Sequence, residues 1–142
     1  MNANPKLQAV QAIYQAFGAG NIPAILDKLA PDVRWEAWAD NFGQRGGAPT
    51  LVERRGPDQV MAFFQVVGGL QIHSFQVLDL MAGERQVAAE VTIDFTVPAT
   101  GHRYADEELH LWTFDAQGRV SRFRHYLDTA KHLRAFGLPL PQ

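Results

Sequence analysis

The 142-residue sequence contains no cysteine, which excludes a disulfide framework, thiolate nucleophiles and any cysteine-ligated metal site. It also has no excess of positive charge. Thirteen Lys and Arg stand against fifteen Asp and Glu, for a formal net charge of −2, the wrong balance for a protein that neutralises a phosphate backbone, so no nucleic acid partner is expected. Apolar runs are only a few residues long, far short of the ~20 that a membrane helix needs. The opening Met1-Asn2-Ala3-Asn4-Pro5 lacks the basic and apolar regions of a signal peptide. These features lead us to expect a cytoplasmic protein with no membrane partner. No second histidine follows Glu108-Leu109-His110 at cupin or zinc-motif spacing, and Gly43 to Gly47 lacks the glycine spacing of a dinucleotide loop. Neither a metal nor any other cofactor is expected. With 46% hydrophobic and 20% charged residues, the chain reads as one folded domain, and its chemistry falls to His, Asp, Glu, Tyr or Lys.

Hydrophobic periodicity divides the chain into helices followed by a meander. Asn4 and Pro5 supply a cap and a preset first turn, after which Leu7, Val10, Ile13, Tyr14 and Phe17 recur at three- and four-residue spacing until Gly18 and Gly20. Asn21 caps a short second helix that carries Ile22, Ile25, Leu26 and Leu29 and stops at Pro31. Val33 to Trp38 reads as a strand. Ala39 to Gly56 loses periodicity and collects glycines, a loop length that suits a lid. A third helix opens at Gly56-Pro57-Asp58 and closes at Gly68-Gly69. Four strands follow: Leu70 to Met81, Val87 to Val97, Arg103 to Phe114 and Arg119 to Asp128, joined by short turns that make them antiparallel neighbours. A last helix spans about Thr129 to Phe136, with Asp128-Thr129 as its cap and Lys131, His132 and Arg134 either on a solvated face or favouring its C-terminal dipole. The order α-α-β-α-β-β-β-β with a short C-terminal helix gives an α+β domain. Three helices of the N-terminal half pack on one face of a highly curved antiparallel sheet, as a cone-shaped barrel.

A long antiparallel sheet twists and coils, so helices packed at its open end leave a cavity against its concave face. Strand alternation indicates what points into it. Glu90, Thr92, Asp94 and Thr96 share one face of their strand, which is either solvent or cavity, opposite Val87, Ala89, Val91, Ile93, Phe95 and Val97. Glu108, His110, Trp112 and Phe114 share another. Ser121, Phe123, His125 and Leu127 share a third, and pairing Phe114 with Arg119 across the Asp115–Gly118 turn turns both histidines into one cavity. Tyr14, Trp35, Phe64, Trp112 and Phe123 are core residues that become apolar walls, and ligand-binding residues, if the cavity is open. His110 is otherwise a core histidine bonded to a neighbouring strand or to Glu108.

Several segments carry a family likeness. Ala12-Ile13-Tyr14-Gln15-Ala16-Phe17-Gly18-Ala19-Gly20-Asn21 and Leu29-Ala30-Pro31-Asp32-Val33-Arg34-Trp35-Glu36, with Arg55 to Phe64, Phe114 to Val120 and Tyr126 to Ala130, resemble the nuclear transport factor 2-like superfamily, especially its SnoaL-like and ketosteroid isomerase-related branch. The resemblance covers nearly all of residues 1–142 as a single SnoaL-like domain. It implies the cone fold and a homodimer through the sheet. It places His110 where ketosteroid isomerases keep an acid that donates to the substrate oxyanion, and their general-base position at about Ala37. Limonene-epoxide-hydrolase-like members pair an Arg-x-Asp with a last-strand acid; here Thr92-Ile93-Asp94 and His125 stand at those places. Polyketide-cyclase relatives use a His and an Asp on the late strands, so the resemblance implies Asp94, His110 and His125 as the catalytic set. The expected function is a cofactor-independent acid/base enzyme (isomerase, cyclase, epoxide hydrolase or lyase) acting on a small apolar ligand. A non-catalytic binding or assembly domain of the same fold is the alternative.

Overall fold

The computed structural model describes residues 4–36 and 40–141. The Asn4 side chain accepts from the amides of Lys6 and Leu7 and starts helix α1 (Pro5–Gly18), satisfying donors that have no partner within the helix. Its stripe buries Val10 and Ile13. Asn21 likewise caps α2 (Ile22–Leu26). This helix is shorter than the periodicity predicts, because Leu29 and Pro31 already belong to strand β1 (Leu29–Trp35). The expected end of that strand at Trp38, and the Ala37 position, lie outside the described residues.

The long connection up to Gly56 is folded rather than open. It forms a one-turn helix α3 (Phe42–Arg45) and a two-residue strand β2 (Arg54–Arg55), anchored by Ala48 and Leu51 against Leu133. Two glycines permit this packing. A Cβ on Gly43 would lie 2.1 Å from Leu51 Cδ1, and one on Gly46 would lie 2.5 Å from Leu133 Cδ2. Helix α4 (Gly56–Gly68) follows, then β3 (Gln71–Ala82), β4 (Gln86–Val97), β5 (His102–Phe114), β6 (Val120–Tyr126) and α5 (Thr129–Ala135), which Asp128 caps by accepting from the Lys131 amide.

The six strands form one curled, unclosed sheet in the order β2-β1-β6-β5-β4-β3. β1 runs parallel to β6, and every other pair is antiparallel. Irregularities in the β3–β4, β5–β6 and β1–β6 pairings interrupt the ladders, and such bulges bend a sheet and increase its twist. Helices α1 and α4 close over the concave side. The core beneath them holds Val10, Ile13, Ile25, Val33, Trp35 and Val60 against Val87, Trp112 and Phe123. Rings pack face to edge and face to face, with Trp35 and Phe123 stacked at 4.2 Å between centroids, adding about 0.5–1.5 kcal/mol per pair beyond the area buried. Among the described residues, no helix is long and apolar enough to cross a membrane.

Candidate functional site

The inner face of β5 carries Tyr104, Asp106, Glu108, His110 and Trp112 at every second residue, the consequence of a period of two. β6 supplies Phe123 and His125. The hairpin register differs from the one expected: Phe114 pairs with Val120 and Thr113 with Arg122, so Ser121 is the extra residue of a bulge. The faces survive this shift. Trp112 lies opposite Phe123, and His110 lies directly opposite His125 with ring centroids 5.7 Å apart.

Helix α1 lowers Tyr14 onto this floor. The Trp112 indole N–H donates to the Tyr14 hydroxyl at 3.0 Å, and that hydroxyl lies 2.6 Å from His110 Nδ1. On its other side, His110 Nε2 lies 3.1 Å from Glu108 Oε1. Burial opposes ionisation of Glu108, yet the His110 hydrogen bond and the nearby imidazoles bring its carboxyl down to about 2. Burial likewise pushes His110 below the ordinary imidazole value, against the pull of Glu108. An ionised carboxylate beside a neutral imidazole fixes the tautomer. Nε2 carries the proton and donates to Glu108, Nδ1 is an acceptor, and Tyr14 must donate to it. Burial also pushes the Tyr14 hydroxyl far up, so it remains a proton donor.

His125 stands in a different environment. Its Nδ1 bonds Glu36 Oε1, and both side chains are buried. Burial again disfavours the imidazolium, but the Glu36 charge and hydrogen bond outweigh it and raise the His125 pKa. Glu36 reaches this position through a left-handed backbone, with φ of 61°, a conformation that costs a non-glycine residue energy and recurs at functional sites. A third histidine lies behind the floor. His132 bonds the Thr50 hydroxyl, and burial together with the His125 charge lowers its pKa to about 4. It therefore departs from the solvated face expected for Lys131, His132 and Arg134, because α5 turns His132, Leu133 and Ala135 inward.

His110, His125, Tyr14 and Glu108 border a pocket of about 90 Å3 between α1, α4 and the concave sheet. Its walls are mainly aromatic and aliphatic, including Phe17, Phe63 and Phe75, and its polar border is Tyr14, Thr50, Glu108, His110 and His125. Of the residues singled out from sequence, Tyr14, Trp35, Phe64, Trp112, Phe123, His110 and His125 all line it. Asp94 does not. The structure places it on the convex face, where Arg103 donates to both of its oxygens at 2.8 and 2.6 Å, and that bond holds its carboxyl below the usual range. The acids brought to the histidines are instead Glu108 and Glu36. Glu108 was legible from its alternation with His110. Glu36 was not, since continued strand alternation after Trp35 turns it outward. Among the described residues, no three His, Asp or Glu side chains converge as a metal-ligand set.

A cone of helices on a curled sheet, with ionisable groups at the inner end of an apolar pocket, defines the class. Residues 10–123 match the SnoaL-like domain, and the chain belongs to that family, within the nuclear transport factor 2-like superfamily. Among solved structures it is similar to a nuclear transport factor 2-like protein of unknown function from Burkholderia pseudomallei, with 26% identity, a TM-score of 0.76, and coverage of 94% of this chain and 98% of that one. It is also similar to TerC co-crystallised with polyporic acid, with 21% identity, a TM-score of 0.72, and coverage of 94% and 99%. A third similar structure is a Mycobacterium tuberculosis protein in complex with estradiol-17beta-hemisuccinate, with 17% identity, a TM-score of 0.70, and coverage of 89% and 95%. No curated protein sequence matches the chain.

Proposed function

We propose that the protein is an acid/base enzyme that moves protons on a small, mostly apolar carbonyl or epoxide compound, in the manner of an isomerase, cyclase, hydrolase or lyase. One observation carries this reading. Two histidines with ring centroids 5.7 Å apart sit on one pocket floor, one between a phenol and a carboxylate with its pKa lowered by burial, the other bonded to a buried acid that raises its pKa. Titratable groups pushed apart by their surroundings mark the base and the acid. A substrate oxygen entering beside Tyr14 accepts the hydroxyl hydrogen bond that otherwise goes to His110 Nδ1. That exchange frees Nδ1 to accept a proton from carbon or water, and Glu108 stabilises the imidazolium that forms. The charged His125 and the neutral Tyr14 stabilise the oxyanion.

The pocket volume lies below the ~300–1,000 Å3 of drug-sized sites, which favours substrates near the size of a single ring. Similar folds crystallised with polyporic acid and a steroid ester support an occupant of ring-bearing, apolar character. The exposed Met81 and Leu109 on the outer side of the sheet support a homodimer through that face, which the mass in solution by light scattering tests; a monomer at micromolar concentration removes it. For the chemistry, one-ring enones, ketones and epoxides are screened with wild type and His110→Gln. The expected result is turnover that falls by about 10²–10⁴-fold in the variant while binding persists. Binding by both proteins with turnover by neither would make this a binding domain.

A further inference from the structure

Where the net reaction releases a proton, a buried base must pass it on to water, and the mouth of the pocket is one way out. The inner face of β5 offers another. Tyr104 lies beyond the pocket lining, and its hydroxyl donates across 3.1 Å to Glu108 Oε2 and across 2.9 Å to Asp106 Oδ2. A phenol carries one proton and two lone pairs, so it bonds one carboxylate fully at any instant and is built to accept from one as it donates to the other. Asp106 also accepts from the Lys131 ammonium at 3.4 Å and from the Asp128 amide at 3.3 Å. Its side chain is 17% exposed, whereas that of Glu108 is 4% exposed.

We propose that Tyr104 and Asp106 form a proton path joining the buried His110–Glu108 pair to solvent beside α5. The inference rests on the acid/base reading of His110, and both residues act through Glu108 without touching substrate. The steps balance as proton transfers with no net movement of electrons. The doubly protonated His110 ring breaks its Nε2–H bond and Glu108 Oε1 gains the proton, leaving a neutral ring protonated at Nδ1; the path run in reverse returns a solvent proton to Nε2 as Nδ1 gives its own to the emptied pocket. A half-turn of the carboxyl group brings that proton to face Tyr104. Glu108 then gives it to the Tyr104 oxygen while Tyr104 gives its own to Asp106 Oδ2, so the phenol never becomes a phenolate. Asp106 releases the proton to water. The remaining groups around the path do not interrupt it. Phe95 packs at a tilt on the Tyr104 ring with centroids 4.9 Å apart, and His132 meets it edge-on at 4.8 Å with its own hydrogen bond made to Thr50.

The test measures exchange of the His110 Nε2–H proton with solvent by nitrogen-15 NMR in the ligand-free protein, for wild type, Tyr104→Phe and Asp106→Asn. Asn at position 106 still accepts from Tyr104 but cannot take up a proton. Both variants are expected to slow the exchange by about tenfold or more, with the His110 ring shifts, and hence its tautomer, unchanged. Exchange at the wild-type rate in either folded variant overturns the path, since Tyr104 would then serve only to hold Glu108. Should Tyr104→Phe fail to fold, Asp106→Asn decides alone. No turnover enters this measurement, so slowed exchange in a protein that converts no substrate would sink the enzyme reading and leave the path standing.

Discussion

Replacing Glu36 by Gln keeps the size, the left-handed backbone and one hydrogen bond to His125, and removes only the buried charge. Both partners are almost wholly shielded from water, with the His125 side chain 7% exposed and that of Glu36 fully buried. Breaking such a pair by deleting one charge costs about 3–5 kcal/mol. The retained amide hydrogen bond puts this variant at the low end, about 3 kcal/mol at about pH 6. For a chain of this length that is roughly a 10 °C fall in Tm. The pH dependence gives the sharper check. In wild type the His125 pKa is raised, so its contribution to stability is complete below the unfolded value of about 6.5 and fades as pH rises through the folded value. In the variant burial is opposed only by the more distant Glu108 charge and is expected to lower the pKa, so stability falls as pH drops below about 6.5. The loss of Tm must therefore grow toward acid and shrink at alkaline pH. Circular dichroism melts at both ends of this range measure it. A loss independent of pH, or larger in alkali, would refute the ion pair.

Tyr14→Phe leaves the Trp112 indole N–H and His110 Nδ1 without their shared partner. The expected loss in urea unfolding is about 1–3 kcal/mol, with activity reduced as well; unchanged stability would mean that the two groups find water. Gly43→Ala forces a methyl group against Leu51 and is expected to destabilise the fold by about 1–3 kcal/mol, read as a lower Tm, while Gly18→Ala, which meets no atom within 4 Å, does not. Asp94→Asn removes an exposed ion pair with Arg103 and is expected to leave both turnover and ligand binding at wild-type levels in the substrate screen. A folded Asp94→Asn protein without activity would return Asp94 to the mechanism.

The contrast between Asp94 and His110 shows what could be read from the sequence. Period-two alternation sets Glu108, His110 and Trp112 on one face whatever the pairing partner. Because Phe114 pairs with Val120 rather than Arg119 and the bulge at Ser121 adds a second shift, the register moves by an even number of residues, the faces are kept and both histidines still meet in the pocket. The same alternation sets Asp94 opposite the apolar face of β4, and the Arg103 pair confirms that side as the outer one; its place in the expected catalytic set came from family likeness alone. Helix ends were legible where a side chain does the capping, at Asn4, Asn21 and Asp128. The segment from 40 to 55 was not, because one turn of helix and two strand residues carry no period. Their order comes from distant partners: Leu133 for Leu51, and His132 for Thr50.

Glu36 marks the limit of such reading. A single residue with φ of 61° reverses the direction in which the chain presents its side chain, and no neighbouring residue type announces it. Its effect extends beyond its own contact. Burial is the largest influence on both His110 and His125 and depresses each of them, so desolvation alone would leave two neutral imidazoles facing each other. Glu36 bonds His125 directly and reaches His110 only through space. The charge it stabilises on His125 in turn helps to keep His110 neutral. One strained acid thus separates two like residues on adjacent strands into a donor and an acceptor.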